Sequence, residues 1–277
     1  MSAVLEQLAL TGLAVAAVLY WRGLRRSRGG RELRERRWRA QAFYAGLVAV
    51  VIAVEPPLDG YADRLFWAHM AQHMLLQMVA PPLIVLGAPW LLLWRPLPLP
   101  ARRRTSRWVL HSRGALPLRG AARVLGSAPV ALALFFGVIA VSHLPVVFDF
   151  ALRNTTFHEG EHMLFLALGI LFWSRAIDSP PFHARLTQLR RLAFFLAAGL
   201  AETAIALVIL AAHSPLYAHY RTLLPRPEHL TPLADQQLGG AIMLEPASIP
   251  LLFAIAWSIG KLVGAGARKR GEVEAVP

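Results

Sequence analysis

Residues 191–213 read RLAFFLAAGLAETAIALVILAAH, and between the two ends only Glu202 carries a charge. A hydrocarbon core requires about 20 mostly apolar residues in a row, so this stretch is long enough to span one. Six further apolar blocks lie near 3–21, 39–55, 66–94, 126–148, 157–177 and 236–261. With 56% hydrophobic and only 16% charged residues, the chain has too little polar surface for a soluble globule of 277 residues. None of the blocks alternates as a membrane barrel strand must, whereas helices satisfy their own backbone in lipid. The sequence therefore predicts an all-α, polytopic membrane helix bundle of about seven transmembrane helices. Residues 1–265 form one transmembrane domain, and 266–277 a basic then acidic cytoplasmic tail.

Charge placement sets the expected orientation. The net charge is +13, yet it is not spread over one face as a nucleic-acid surface would need. Of the 29 Lys and Arg residues, only Arg64, Arg153, Arg221 and Arg226 follow the even-numbered blocks. All others fall in the alternate loops and the tail, including Arg102-Arg103-Arg104 and Arg268-Lys269-Arg270. The positive-inside rule then predicts an outer N-terminus and a cytoplasmic C-terminus, with membrane lipid and not nucleic acid as the partner of the basic loops. Trp21, Trp90, Trp94, Trp173 and Trp257 near inner block ends, and Trp67 near an outer one, read as an interfacial belt. Met1 to Gln7 carries only Glu6 as a charge, so the first block reads as a retained span. Pro81-Pro82 predicts a kink in the third block, and 95–125 reads as a long cytoplasmic loop.

The chain has no cysteine, so any metal site must be built from His, Met and carboxylates. His69-Met70-Ala71-Gln72-His73-Met74-Leu75 and His158-Glu159-Gly160-Glu161-His162-Met163-Leu164 share the pattern His-x-x-x-His-Met-Leu. Residues four apart share a helix face, about 5–6 Å between Cβ atoms, so each pair suits one metal ion. Both copies start a span at its expected outer end. His143 and His213 join them there, and His219 and His229 lie in the last outer loop; only His111 and His183 fall on the basic side. The two pairs are predicted to meet as one patch. The candidate metal ligands are His69, His73, His158, His162, His143 and His213, with Met74 and Met163 as soft donors suited to Cu(I) and zinc as the alternative ion. Met70 and Met78 read as packing. Glu202 and Glu245 lie inside spans, where a carboxylate faces the bundle interior, and form a candidate intramembrane relay. Glu202 and His213, eleven residues apart, share a face if the helix continues between them.

Several of these segments resemble the multi-pass CtaG family of cytochrome c oxidase assembly factors. They are Phe66 to Leu76, Pro81-Pro82-Leu83, Gly87-Ala88-Pro89, Ser142-His143-Leu144-Pro145, His158 to His162 and Asp235-Gln236-Gln237-Leu238-Gly239-Gly240. The resemblance runs in order over nearly the whole chain. It implies a non-enzymatic protein of the bacterial plasma membrane that helps make a copper-containing terminal oxidase, with oxidase subunits as partners and copper supplied or inserted. The residues themselves leave other readings open: a copper or proton-coupled transporter using the two glutamates, or a haem-binding membrane protein. More distant is a zinc protease, since His158-Glu159-Gly160-Glu161-His162 also fits His-Glu-x-x-His.

Overall fold

The computed structural model describes residues 2–26, 33–182, 186–222, 230–244 and 249–274, and every regular element among them is helical. In order they are α1 (Ser2–Arg25), α2 (Leu33–Val54), α3 (Leu58–Ala62), α4 (Phe66–Met74), a π turn (Leu75–Val79), α5 (Ala80–Leu86) and α6 (Pro89–Trp94). There follow α7 (Leu99–His111), a 3₁₀ turn, α8 (Leu116–Leu125), α9 (Ala128–Ser142), α10 (Pro145–Arg153) and α11 (Thr155–Ala176). The chain continues through α12 (Gln188–Ala211), α13 (Ala218–Thr222), α14 (Pro232–Leu244) and α15 (Ile249–Glu274).

Four stretches are long and apolar enough to cross a membrane: Gln7–Arg25, Glu35–Val54, Gln188–Ala211 and Pro232–Gly264. Arg113–Leu125 with Ala128–Ser142 makes a fifth if this pair, bent by 77°, is one span. The two stretches that carry the paired histidines do not meet the same measure. α11 places two histidines and two glutamates in its first half, and residues 66–94 are divided among α4, the π turn, α5 and α6. The expected loop at 95–125 is instead two helices, α7 and α8, neither with a buried residue. Trp108, Leu110, Leu118 and Val124 are exposed on this hairpin beside its arginines, as on an amphipathic segment lying at an interface.

The break in the third block has a chemical cause. Pro81 has no N–H to give the carbonyl of Gln77 four residues earlier, and Pro82 none for that of Met78. The Gln77 carbonyl is satisfied from another helix: the Trp173 indole of α11 donates to it at 3.1 Å. Trp173 is thus a buried core residue rather than a member of the interfacial belt. Gly169, one turn earlier on α11, lies so close that a Cβ there would meet Pro81 Cγ at 2.6 Å and the Gln77 carbonyl oxygen at 3.2 Å. A proline, an orphaned carbonyl, an indole and a glycine together fix α11 against the 66–86 segment. That contact sets how the two histidine helices meet.

The rest of the frame brings α14 onto both α4 and α12. Gly239 abuts the Phe66 ring and Gly240 abuts the α12 backbone at Leu210, each too close for a side chain without rearrangement. Asp235, in the first turn of α14, caps a helix other than its own. Its carboxylate accepts from the backbone N–H groups of Phe66 and Trp67 at 2.9 and 3.0 Å, at the exposed donors of α4. The apolar core runs from Phe66, Met70 and Phe148 to Phe135, Phe172 and Phe194, where Phe172 stacks between the other two rings at 4.6 and 4.7 Å. A second cluster, with Tyr20, Phe43 and Phe165, joins α1 and α2 to the histidine helices.

Candidate metal centre

α4 and α11 each open with the paired motif, and their first turns face each other. The ring centroids of His69 and His73 are 4.3 Å apart, and those of His158 and His162 4.2 Å, as i,i+4 spacing dictates. Across the helices, His69 stacks on His158 at 4.9 Å and His73 meets His162 at 5.4 Å. His143, just past the end of α9, closes the group at 6.2 Å from His73. Ligand nitrogens of His69, His73 and His158 all lie within 4.8 Å of one another, a spacing that contraction around one ion would bring to ligation distance of about 2 Å.

Nearly all of these imidazoles are buried, and several of their nitrogens have no partner among the described residues. His73 has neither ring nitrogen hydrogen-bonded, and Nε2 of His143, His158 and His162 is likewise buried without a partner among the described residues. Buried polar groups are ordinarily paired, so five such atoms in one place set this cluster apart from an ordinary core. The donor set, neutral imidazole, fits a borderline transition metal such as copper or zinc.

Neighbouring groups fix two of the tautomers. The Tyr220 hydroxyl donates to the Ala62 carbonyl at 2.6 Å and lies 3.1 Å from His69 Nδ1. Having one proton, which Ala62 takes, the phenol can only accept from Nδ1–H, and His69 Nε2 is left with its lone pair. His143 Nδ1 lies 2.7 Å from the Ile139 carbonyl, which only accepts, so its Nε2 is bare as well. This is the arrangement that orients metal-binding histidines. Tyr220 is held in turn by α13, whose first N–H groups, at Ala218 and His219, donate to the Asp149 carboxylate at 3.2 and 3.1 Å. Burial, and then Asp149, push the neighbouring Tyr217 phenol up, so it stays a donor to the His143 carbonyl at 3.2 Å. Gln72, between the α4 histidines, donates to the Ala53 carbonyl at 2.7 Å and to Asp59 at 3.0 Å.

Other expected ligands lie elsewhere. His213 is exposed and makes no ring contact with the five: α12 ends at Ala211, so the helical spacing that would align it with Glu202 stops short of it. Met163, one residue and about 100° on from His162, is 48% exposed and turned off the cluster. Met74 packs in the apolar core with Met70 and Met78. Glu202 is buried on α12 with neither carboxylate oxygen hydrogen-bonded among the described residues, while Glu245, like His183 and His229, lies outside those residues. Spacing does not reveal Tyr220, which touches His69, nor Asp149 and Asp59 behind it and Gln72, because each comes from a separate short helix.

The family model described as cytochrome c oxidase caa3 assembly factor (Caa3_CtaG) matches residues 18–264, a range that holds all five histidines. The chain belongs to this family. Curated relatives include the uncharacterized proteins Mb0105 of Mycobacterium bovis and MT0111 of Mycobacterium tuberculosis, each 29% identical over 221 residues. That match covers 77% of this chain and 32% of the relative. Uncharacterized protein ML1998 of Mycobacterium leprae is 29% identical over 224 residues, or 78% of this chain and 33% of its own. The chain thus spans about a third of the length of the curated relatives it matches. No solved structure matches it.

Proposed function

We propose that this Caa3_CtaG protein binds a copper ion among His69, His73 and His158, with His162 and His143 beside them, and passes it to a subunit of a copper-containing cytochrome c oxidase during assembly. The single observation that carries this reading is the set of buried, unpartnered imidazole nitrogens converging from two helices. Copper is cargo here, held by neutral imidazoles alone, since Met163 faces away from the cluster. Membership of an oxidase assembly family favours copper over zinc. The rings pack directly on one another, which leaves no gap for a macrocycle between the two helices and speaks against haem. Ligand nitrogens within 4.8 Å of one another join His158 to the α4 pair, a grouping across two helices that a His-Glu-x-x-His zinc site does not need.

The reading includes a topology. Counting the broken 66–94 segment, the bent α9 region and α11 as spans gives seven crossings of a bacterial plasma membrane. The basic loops then lie in the cytoplasm, the N-terminus outside, and the histidines near the outer surface, where an oxidase copper centre would be loaded. Glu202 supports a second reading, a metal or proton pathway through the bundle, because a carboxylate with both oxygens buried and unpaired is costly unless used. Metal analysis of detergent-purified protein, with Cu(I) and Zn(II) offered in competition, tests the first reading. Stoichiometric zinc with no copper retained under reducing conditions rejects it. Copper flux into sealed vesicles carrying the protein would favour the pathway instead.

A further inference from the structure

Beside the histidine face of α4 runs a second face, with Phe66, Met70 and Met74, and contacts along it fix the register of α4, α14 and α12. Asp235 accepts from the Phe66 N–H at the start of α4. One turn further along α14, a Cβ at Gly239 would meet the Phe66 ring and, at 3.1 Å, Met70 Cγ. The two helices therefore run parallel, and one more turn on each brings Met243 level with Met74. On the other side of α14, Gln236 donates to the Ile209 carbonyl at 3.2 Å, and a Cβ at Gly240 would meet the Ala206 carbonyl oxygen at 3.3 Å. Here α14 and α12 run antiparallel. Met243, just beyond Gly240, thus comes level with Glu202, one turn before Ala206, to within about 1.5 Å, the rise of one residue.

That level of the bundle holds a carboxylate and two thioethers. Glu202 is 2% exposed, and Met74 and Met243 are buried. Ala198 and Ala206, one turn to either side of Glu202 on the same helix face, belong to the same core cluster as Met74 and Met243. Neither Glu202 oxygen has a hydrogen-bond partner among the described residues. Methionine alone is ordinary packing material. Beside a buried carboxylate that no donor meets, it becomes half of a ligand set: the carboxylate cancels one positive charge, and the thioethers select a soft ion.

We infer that Glu202, Met74 and Met243 form a second metal site, inside the bundle, for a soft monovalent cation of the Cu(I) class. It shares no ligand with the histidine cluster, although Met74 follows His73 directly in the chain. The inference rests on the pathway reading of Glu202 only in taking that carboxylate to serve ions; it names the ion and its other ligands, and requires no flux.

Cu(I) loading of the detergent-purified full chain under anaerobic, reducing conditions tests it, read by copper stoichiometry and by X-ray absorption at the copper edge. Two ions per chain are expected, with sulfur as well as nitrogen among the neighbours of copper. The double variant Met74→Leu/Met243→Leu nearly keeps the packing volume. It should lose the sulfur signal and one ion, while the imidazole-bound ion stays. Glu202→Gln, equal in size but uncharged, should weaken binding of that same ion about tenfold or more. In His73→Ala/His162→Ala the sulfur-bound ion should persist, so failure of the histidine site and failure of this one are read separately. A single ion with nitrogen neighbours only, at saturating Cu(I), overturns the proposal. So does a sulfur signal that survives the double methionine variant, which would move the ion to another methionine such as Met163.

Discussion

The Tyr220 hydroxyl stands 3.1 Å from Nδ1 of His69, across 151 positions of chain, and settles which nitrogen of that ring is free. A short helix of five residues delivers the phenol, and Asp149 caps that helix from α10.

Tyr220→Phe should therefore weaken copper binding about 10- to 100-fold, the usual cost of removing an outer partner of a metal-binding histidine. The phenyl ring keeps its contacts with Phe66 and Phe148, so the fold should survive. Competition titration against a Cu(I) chelator measures the loss. Unchanged affinity in a folded Tyr220→Phe protein would show that His69 needs no such restraint.

His73→Ala and His162→Ala should each lower terminal oxidase activity while the protein stays inserted. One ligand fewer weakens the site without touching the apolar surfaces that hold the helices together. Copper added to the medium should partly restore both variants by mass action. Arg102→Ala, on a partly exposed position of the interfacial hairpin, should do far less, since a headgroup contact is worth about 1 kcal/mol. Oxidase assays in cells at limiting copper, normalised to membrane protein level, read the difference. Full activity in the double histidine variant would sink the delivery hypothesis.

Copper binding should weaken as pH falls into the acid range. The ion needs neutral rings, so protons compete for the same lone pairs and acid favours release. Retained copper measured across a pH series checks the sign; tighter binding in acid would point to ligands other than imidazole.

Asp235→Ala should destabilise the protein by about 1–2 kcal/mol, because two N–H donors at the start of α4 lose a charged acceptor. Thermal unfolding in detergent reads the loss. Asp235→Asn, which keeps one acceptor oxygen, should recover part of it.

Gly169→Ala should be more disruptive than its one methyl implies, by about 1–3 kcal/mol, since the added carbon would press on Pro81 and on the Gln77 carbonyl. It should also lower copper affinity, as α11 is pushed from the segment that carries His69 and His73. Stability and copper binding falling together in this variant, but not in Gly137→Ala on the open side of α9, would tie the packing to the site.

The repeated His-x-x-x-His-Met-Leu was enough to anticipate that α4 and α11 meet, because two identical faces at the same depth are best explained by one shared site. His143 was also within reach of that argument. The methionines were not, since one residue on a helix separates a ligand face from a lipid face and the motif cannot say which side is which. The same limit applies to His213, whose alignment with Glu202 depended on a helix that stops at Ala211. The helix that Asp235 caps is 169 positions away from it, so only the packing of α14 on α4 reveals the partner. Apolar length gave the helical bundle readily. It is least informative at 66–94 and 157–177, where prolines, histidines and glutamates interrupt the hydrophobic pattern.

The π turn at Leu75–Val79 adds one residue to a helical turn between the histidine half and the proline half of the same segment. One residue is worth about 100° of rotation. The direction in which His69 and His73 point is therefore offset from the direction in which Pro81 packs on Gly169, and the two are no longer locked by a single helical repeat. A one-residue deletion at Leu75 would restore plain α geometry and swing the imidazoles away from α11 while the lower contact stayed put. The bulge works as a rotary spacer: it lets the histidine-bearing surface be aimed separately from the surface that holds the bundle together.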